Sequence, residues 1–543
     1  MTRKFLLIAI IIILFSACAN KQKVDLVFYN GKIISVDSNM SVSESFAVKD
    51  GKFVGVGSTD FILNNFESLQ KIDLKQQLVY PGLIDAHSHF YGLGNFMQMV
   101  DLTGAKSWDE CVERCQKIYA LHKPTVLLGR GWDQNIWTNK NFPTNEKLNE
   151  LFGNIPLMLK RVDGHAAIVN DYVLKLANIN INTKLNGGLV ITTNNKPTGV
   201  LIDNAIDLAE AVIPEISLTD KIKALKLAQQ HCYDFGLTSV TDAGLDLPII
   251  HLIDSLQQSG TLNMRVYAMV SLNNQNLQEA LKIGVYKTEK LNVSSFKMYA
   301  DGALGSRGAC LTKPYSDDVH NHGFLLTDIN KMRAYVLQIA NSKFQLNTHC
   351  IGDSGNRFVL NLYSKVLPKN NDRRWRIEHA QVIDSSDFEL FKKHNIIPSV
   401  QPTHATSDMV WAKDRLGNQR LKFAYAYQAL LNQNNWLPLG TDFPVEHVSP
   451  FYTFYAAVAR KDANGMPTAG FNIENALTRE QALKGITIWA AKAAFEENEK
   501  GSIEAGKLAD FIISDIDLLT EKDLLKVRNM KPKQVYVGGV KVR

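Results

Sequence analysis

Six residues able to reach a metal ion stand at the C-terminal ends of short apolar, strand-like runs. They are His87 and His89 after Leu78–Ile84, Lys297 in Ser294–Gly302, His349 in Asn347–Asp353, His379 in Arg376–Gln381 and Asp442 in Leu439–Pro444. Side chains alternate faces along a strand, so His87 and His89, two apart, point the same way. Two imidazoles aimed at one point suit Zn²⁺ or a similar divalent ion. A lone histidine is more often a buried, hydrogen-bonded one; the joint placement argues for ligation. It also constrains the fold. Eight buried-strand candidates are Val79–His89, Leu237–Ala243, Arg265–Ser271, Ser294–Asp301, Gln345–His349, Arg376–Ala380, Ile396–Gln401 and Trp436–Asp442, most followed by helix-length segments. Repeated strand–helix alternation argues for a parallel sheet. An open doubly wound sheet fits that periodicity too, but it would not readily bring five strand ends to one point. The expectation is an α/β chain built on a (β/α)8 TIM-type barrel, with the six residues on its C-terminal face.

The two ends read as β. Val24–Tyr29 and Lys32–Val36 flank Asn30-Gly31, and Ser45–Lys49 and Lys52–Val56 flank Asp50-Gly51, each pair reading as a hairpin. Ala509–Ser514 and Lys533–Val540 have the same character. Termini of one kind around an α/β middle suggest a small β-sandwich built from residues 24–80 and 500–543. The barrel then takes 81–101 and 231–499. Residues 102–230 are far too long for a βα connection and carry strands of their own (Thr125–Gly129, Ile155–Arg161, Gly187–Thr192), so they read as an inserted subdomain.

Residues 1–18 have the layout of a signal peptide: Arg3 and Lys4, an apolar run Phe5–Phe15, then Ser16-Ala17-Cys18. The run is too short to span a bilayer as an ordinary helix. Small residues before Cys18 resemble a bacterial lipobox, although Phe15 stands where Leu is usual. This implies a lipoprotein of the cell envelope facing the periplasm, anchored to the membrane at Cys18. Cys111, Cys115, Cys232, Cys310 and Cys350 are odd in number and without small-scaffold spacing, and read as buried thiols. A formal charge of +6 over 543 residues, with no dense basic stripe, argues against a nucleic-acid partner.

The five barrel segments, in their order, resemble the amidohydrolase superfamily. Gly129-Arg-Gly-Trp-Asp133, Arg161-Val-Asp-Gly-His165 and Pro197-Thr-Gly-Val-Leu201 resemble its amidohydrolase-3 branch, which includes YtcJ-like proteins and N-substituted formamide deformylases. The resemblance implies two divalent metal ions, most simply zinc, with His87 and His89 on the more buried one and His349 and His379 on the other. It implies that Lys297 is carboxylated and bridges them; the alternative is a lysine paired with Asp301 at the barrel rim. It makes Asp442 both a metal contact and the proton shuttle of a hydroxide attack on a small amide-type substrate. His165 resembles a pocket histidine of the branch. Trp132 and Arg307 are assigned to the same cavity, with core packing the alternative for Trp132, and His404 to the active face just past the seventh strand, with a surface role the alternative.

The leading reading is thus a metal-dependent hydrolase of a C–N bond, in a linear amide or N-substituted formamide. A mononuclear-type deaminase or cyclic-amide hydrolase keeps the fold but has less use for Lys297. A non-catalytic solute-binding lipoprotein has no use for a proton shuttle. Homodimerisation is left open. The lipobox is directly testable: Cys18→Ser should abolish metabolic lipid labelling and move the chain from the detergent phase to the aqueous phase on phase partition. Unchanged labelling would sink the anchor.

Overall fold

The computed structural model describes residues 21–153 and 155–543, so the signal segment and Cys18 lie outside the described residues. Seven parallel strands follow one another around a barrel wall: β1 (Leu83–Ser88), β2 (Leu237–Leu245), β3 (Arg265–Ser271), β4 (Leu291–Tyr299), β5 (Gln345–Cys350), β6 (Arg376–His379) and β7 (Ile397–Ser399). Almost every residue of these strands is buried, because the wall faces side chains inside and helices outside. Helices such as Leu247–Gln258, Ile329–Ala340 and Asp353–Val366 contribute apolar stripes to that outer layer.

The eighth stave differs from expectation. Residues 436–442 form no ladder, and Leu439 makes a single parallel bridge to Val400. The segment closes the barrel all the same. Gly440 N donates to Val400 O at 3.0 Å on one side; on the other, Ala86 N donates to Leu439 O at 3.2 Å and Asp442 N to His87 O at 2.8 Å. Asp85 adds a side-chain tie: its carboxylate accepts from Thr441 Oγ1 at 2.6 Å and from His87 N at 3.0 Å. Glycine at 440 permits this approach, since a Cβ there would lie 2.6 Å from His87 N. The apolar run entering β1 is also two strands rather than one. Leu78–Pro81 belongs to the sandwich, and the chain passes into the barrel at Gly82, packed on Thr238.

The termini do meet. Leu26–Tyr29, Ser45–Lys49, Lys52–Gly57 and Gln70–Asp73 form one sheet, and Lys32–Ile34, Val42–Ser43 and Leu78–Pro81 join Phe511–Ser514, Gln534–Val537 and Val540–Lys541 in another. Phe28, Phe46, Phe511 and Tyr536 pack between them, with Phe511 and Tyr536 stacked at 4.5 Å. The Asp50-Gly51 hairpin forms as expected. Asn30-Gly31 is not a hairpin: the chain crosses there from one sheet to the other, which puts both Phe28 and Ile33 into the shared core.

Between β1 and β2 lies a six-stranded sheet in the order Val100–Asp101, Leu127–Trp132, Leu157–Arg161, Ala166–Val169, Lys196–Asp203, Gly188–Thr193. It has an apolar core on each face. The helix Leu218–Asp234 then packs on Phe90–Phe96, just after β1. The five cysteines are unpaired, four of them buried.

Barrel closure at residue 440 can be tested. Gly440→Ala should destabilise the chain by about 1–3 kcal/mol through overpacking against β1, read as a lower thermal midpoint, and should weaken metal binding in parallel. An unchanged midpoint would mean that the segment is not wedged against β1.

Candidate metal centre

Each residue proposed from sequence as a metal ligand arrives at the C-terminal mouth from a different part of the wall. His87 ends β1, with His89 just beyond it; Lys297 lies near the end of β4; His349 and His379 close β5 and β6. Asp442 comes from the irregular eighth segment. His89 Nε2 stands 3.1 Å from Asp442 Oδ1, and His87 Nε2 3.6 Å from the same atom. Ligand atoms of His87, His89 and Asp442 all fall within 4.8 Å of one another, as do those of His379, His404 and Asp442. His349 packs against His379 with ring centroids 4.5 Å apart.

The outer nitrogens are engaged, which aims the inner ones at the cavity. His87 Nδ1 meets Glu378 Oε2 at 2.5 Å, and His379 Nδ1 meets Gln401 Oε1 at 2.7 Å. Such partners fix the tautomer and ring orientation of a metal-binding histidine. Glu378 is itself wholly buried, 3.6 Å from Arg376, whose Nη2 donates to Ala493 O at 2.7 Å. By contrast, the Nε2 atoms of His349 and His404 are buried with no hydrogen-bond partner. Orphaned buried acceptors call for an explanation, and a cation is the simplest one for this donor set.

The electrostatics agree. Burial, with Lys297 adding to it, pushes the His87 imidazole down to about 4. Burial also holds His349 and His379 well below the usual histidine range. All three are therefore neutral at pH 7, the form that ligates. Burial lowers Lys297 as well; its Nζ lies 3.4 Å from His87 Nε2 and 4.9 Å from the centre of the Tyr299 ring. The rim pairing with Asp301 is not made, because that carboxylate accepts backbone N–H groups of Cys310, Ile351 and Gly352 at 2.8–2.9 Å. Burial opposes ionisation of Asp442, but its contact with His89 and the neighbouring imidazoles outweigh this and keep the carboxyl well below its ordinary value. Two of these positions are strained: His379 (φ 73°) and Asp442 (φ 63°) occupy the left-handed region, at roughly 1–3 kcal/mol each.

The cavity over this centre measures about 1060 Å³. Strand ends and loops of the insertion form much of its wall, including Arg130, Asp163, His165 and Asp203. His165 Nδ1 meets Asp203 Oδ1 at 2.5 Å, and its ring lies 5.1 Å from that of His349. Burial acts against the imidazolium of His165, yet the Asp203 carboxylate keeps its pKa above the usual value. His404 lines the cavity from the helix Pro402–Asp408, with Nε2 3.6 Å from Asp442 Oδ2.

Two expectations are corrected. Trp132 is fully buried in the insertion core, its Nε1 donating to Leu159 O at 2.8 Å and its ring packed near Trp137 and Phe142. Arg307 turns to a neighbouring pocket, where it pairs with Asp317 at 2.9 Å beside Arg415. Conversely, Glu378, Gln401, Asp203 and Arg130 went unnoticed in the sequence. Glu378 had a signal, since it directly precedes His379; the others carry none that spacing could reveal.

Comparison with known proteins falls into line with this geometry. The family model described as "Amidohydrolase family" matches residues 70–543. Protein LONG AFTER FAR-RED 3 of Arabidopsis thaliana is 31% identical, covering 95% of this chain and 91% of its own. YtcJ of Bacillus subtilis is 30% identical over 90% and 93%, and an N-substituted formamide deformylase of Arthrobacter pascens 25% over 96% and 98%. Among solved structures, an uncharacterized metal-dependent hydrolase of Pyrococcus horikoshii superposes with a TM-score of 0.75 at 27% identity, covering 92% of this chain and 98% of that one.

Glu378→Gln isolates the role of the outer hydrogen bond. It should reduce Zn²⁺ affinity, measured by chelator competition, by about 10–100-fold while leaving the far-UV circular dichroism unchanged. Unaltered affinity would show that Glu378 does not hold His87 for a metal.

Proposed function

The chain belongs to the amidohydrolase family, and we propose that it hydrolyses a C–N bond in a linear amide or N-substituted formamide. The observation that carries this reading is Asp442, a buried and ionised carboxylate set between two groups of imidazoles. The name of the Arthrobacter relative supports the formamide class. His87, His89 and Asp442 would hold one divalent ion, and His349 and His379 a second. Lys297, as the carbamate formed when carbon dioxide adds to its amine, would stand between them. When bound, such ions, zinc foremost, would polarise the substrate carbonyl and lower the pKa of a water towards neutrality.

The chain's own residues supply the rest. Asp442 accepts the proton of the attacking water as the new C–O bond forms, then delivers it to the departing nitrogen as the C–N bond breaks. His165, oriented by Asp203, donates from the insertion side towards the carbonyl oxygen, where negative charge develops. His404 borders the same oxygen of Asp442 that would face the leaving group. Strand ends and loops of the insertion line one side of the mouth, beside the metal-site residues. On the residues before 20 alone, we place the enzyme in the bacterial cell envelope, anchored through Cys18.

Elemental analysis of the purified chain, beside Lys297→Ala and Asp442→Asn, tests the reading. About two metals per chain should fall to one or fewer in Lys297→Ala, and Asp442→Asn should lower kcat on an N-substituted formamide by about 10²–10⁴-fold. One metal, indifferent to Lys297, would favour the deaminase instead. No metal under any loading condition, with ligand affinity retained in Asp442→Asn, would favour a solute-binding protein.

A further inference from the structure

Among the cavity's charged groups, Arg130 stands out by what the protein leaves unused. It lies on the insertion strand Leu127–Trp132 and lines the cavity. A guanidinium has five N–H donors and no acceptor. The protein uses one of them, Nη2, which donates to Val162 O at 3.0 Å. Nε is shielded from solvent with no partner, and no carboxylate among the described residues comes within 4.0 Å of the group. Of the acids near it, Asp133 and Asp163 pair with Arg161, Asp203 with His165 and Glu210 with Lys160, while Asp101, opposite Arg130 on the neighbouring strand, accepts from Thr103 N at 2.8 Å. At Gly164 a Cβ would sit 3.4 Å from Nη2, so glycine leaves that side uncovered.

The other wall cations without a carboxylate are accounted for differently. Lys297 belongs to the metal centre. Arg528 spreads over the Tyr452 ring, 3.7 Å from its centre, and bonds Asn529 at 2.9 Å. Arg130 is left as a partly exposed positive group on the cavity wall, with most of its donors free of protein partners and open to an anion that enters. Arg130 and Asp442 line the same cavity, so the guanidinium and the reacting centre share one space.

We infer that Arg130 determines specificity by binding a carboxylate of the substrate, remote from the scissile C–N bond. The substrate class is then an N-acyl or N-formyl amino acid, not the amide of a neutral amine. This rests on the hydrolase reading above and narrows it.

The test compares kcat/KM, on metal-loaded enzyme, for N-formyl ω-amino acids from glycine to 6-aminohexanoate with that for N-formyl alkylamines of matched length. One chain length should be preferred over its neutral counterpart by about 10–100-fold. Arg130→Met should erase that preference and Arg130→Lys keep part of it, with the neutral compounds little affected. Calorimetric titration with the free ω-amino acids and their carboxamides reads binding without turnover, and thermal midpoints check that both variants fold. Equal rates for acid and neutral compounds, or a Met variant that slows both alike, overturn the anion site and leave the hydrolase standing. Carboxylate binding that depends on Arg130 without turnover of any formamide overturns the hydrolase and leaves the anion site standing. Absence of both overturns both.

Discussion

The closure of the barrel by residues 436–442 is the contact on which the rest depends. Seven strands make an arc; the eighth segment makes it a ring, bonded to β7 through Val400 and to β1 through Ala86, His87 and Asp85. A regular strand would have run past β1 in step. This segment instead ends two residues after Gly440 with Asp442 in a left-handed turn, its amide tied to His87 O. That turn delivers a carboxylate to within 3.1 Å of His89. The strain there, and at His379, is held in place by closure on one side and by the His379–Gln401 bond on the other. Backbone cost at two donor positions is understandable where both side chains must converge on one point.

Convergence brings an electrostatic difficulty, which the structure meets in layers. Imidazoles, an amine and a carboxylate sit within a few ångströms of one another, almost out of water. Burial meets the first part by disfavouring the charged forms of His87, His349, His379 and Lys297. The second part is solved behind them. Glu378 takes the far side of His87, and Arg376 lies behind Glu378 and reaches the backbone at Ala86 and Ala493. A sequence of imidazole, carboxylate and guanidinium thus runs from the mouth into the barrel, so that the buried Glu378 carboxylate has a partner on each side. The donor atoms left facing the cavity are the ones that this chain does not use.

Those features were unequally visible in the sequence. The six donor positions could be read because each ends an apolar run, and strand ends in a parallel barrel share a face. The eighth run, Trp436–Asp442, reads as a strand in sequence, and Leu437 and Leu439 are indeed buried, but Pro438 and Gly440 interrupt the ladder. Asn30-Gly31 looks like a hairpin turn locally, yet both neighbours of Leu26–Tyr29 are supplied by strands further along the chain. Local pattern cannot see that competition. In the insertion, Trp132 and Arg307 were assigned to the cavity by motif, whereas packing took one into a core and Asp317 took the other. Asp203 reaches His165 across a sheet, 38 residues away. Such pairs exist only once the register of Ala166–Val169 on Lys196–Asp203 is set.

The division of labour between barrel and insertion follows from how each is held. Donor residues hang from barrel strands whose register is locked by a continuous wall, so small changes at one displace several others. Arg130, Asp163, His165 and Asp203 hang from the strand ends and loops of a sheet with its own two apolar cores. Substitutions on those loops can alter which molecule fits without moving His87 or Asp442, because the insertion's stability does not come from the barrel's packing. Chemistry is therefore carried by the rigid part and selection by the separable one, which is how one barrel can serve many substrates. In this chain the separable part places one uncommitted guanidinium on the wall. Within such a low-dielectric cavity, a charge of that kind weighs more in choosing a substrate than any single apolar contact could.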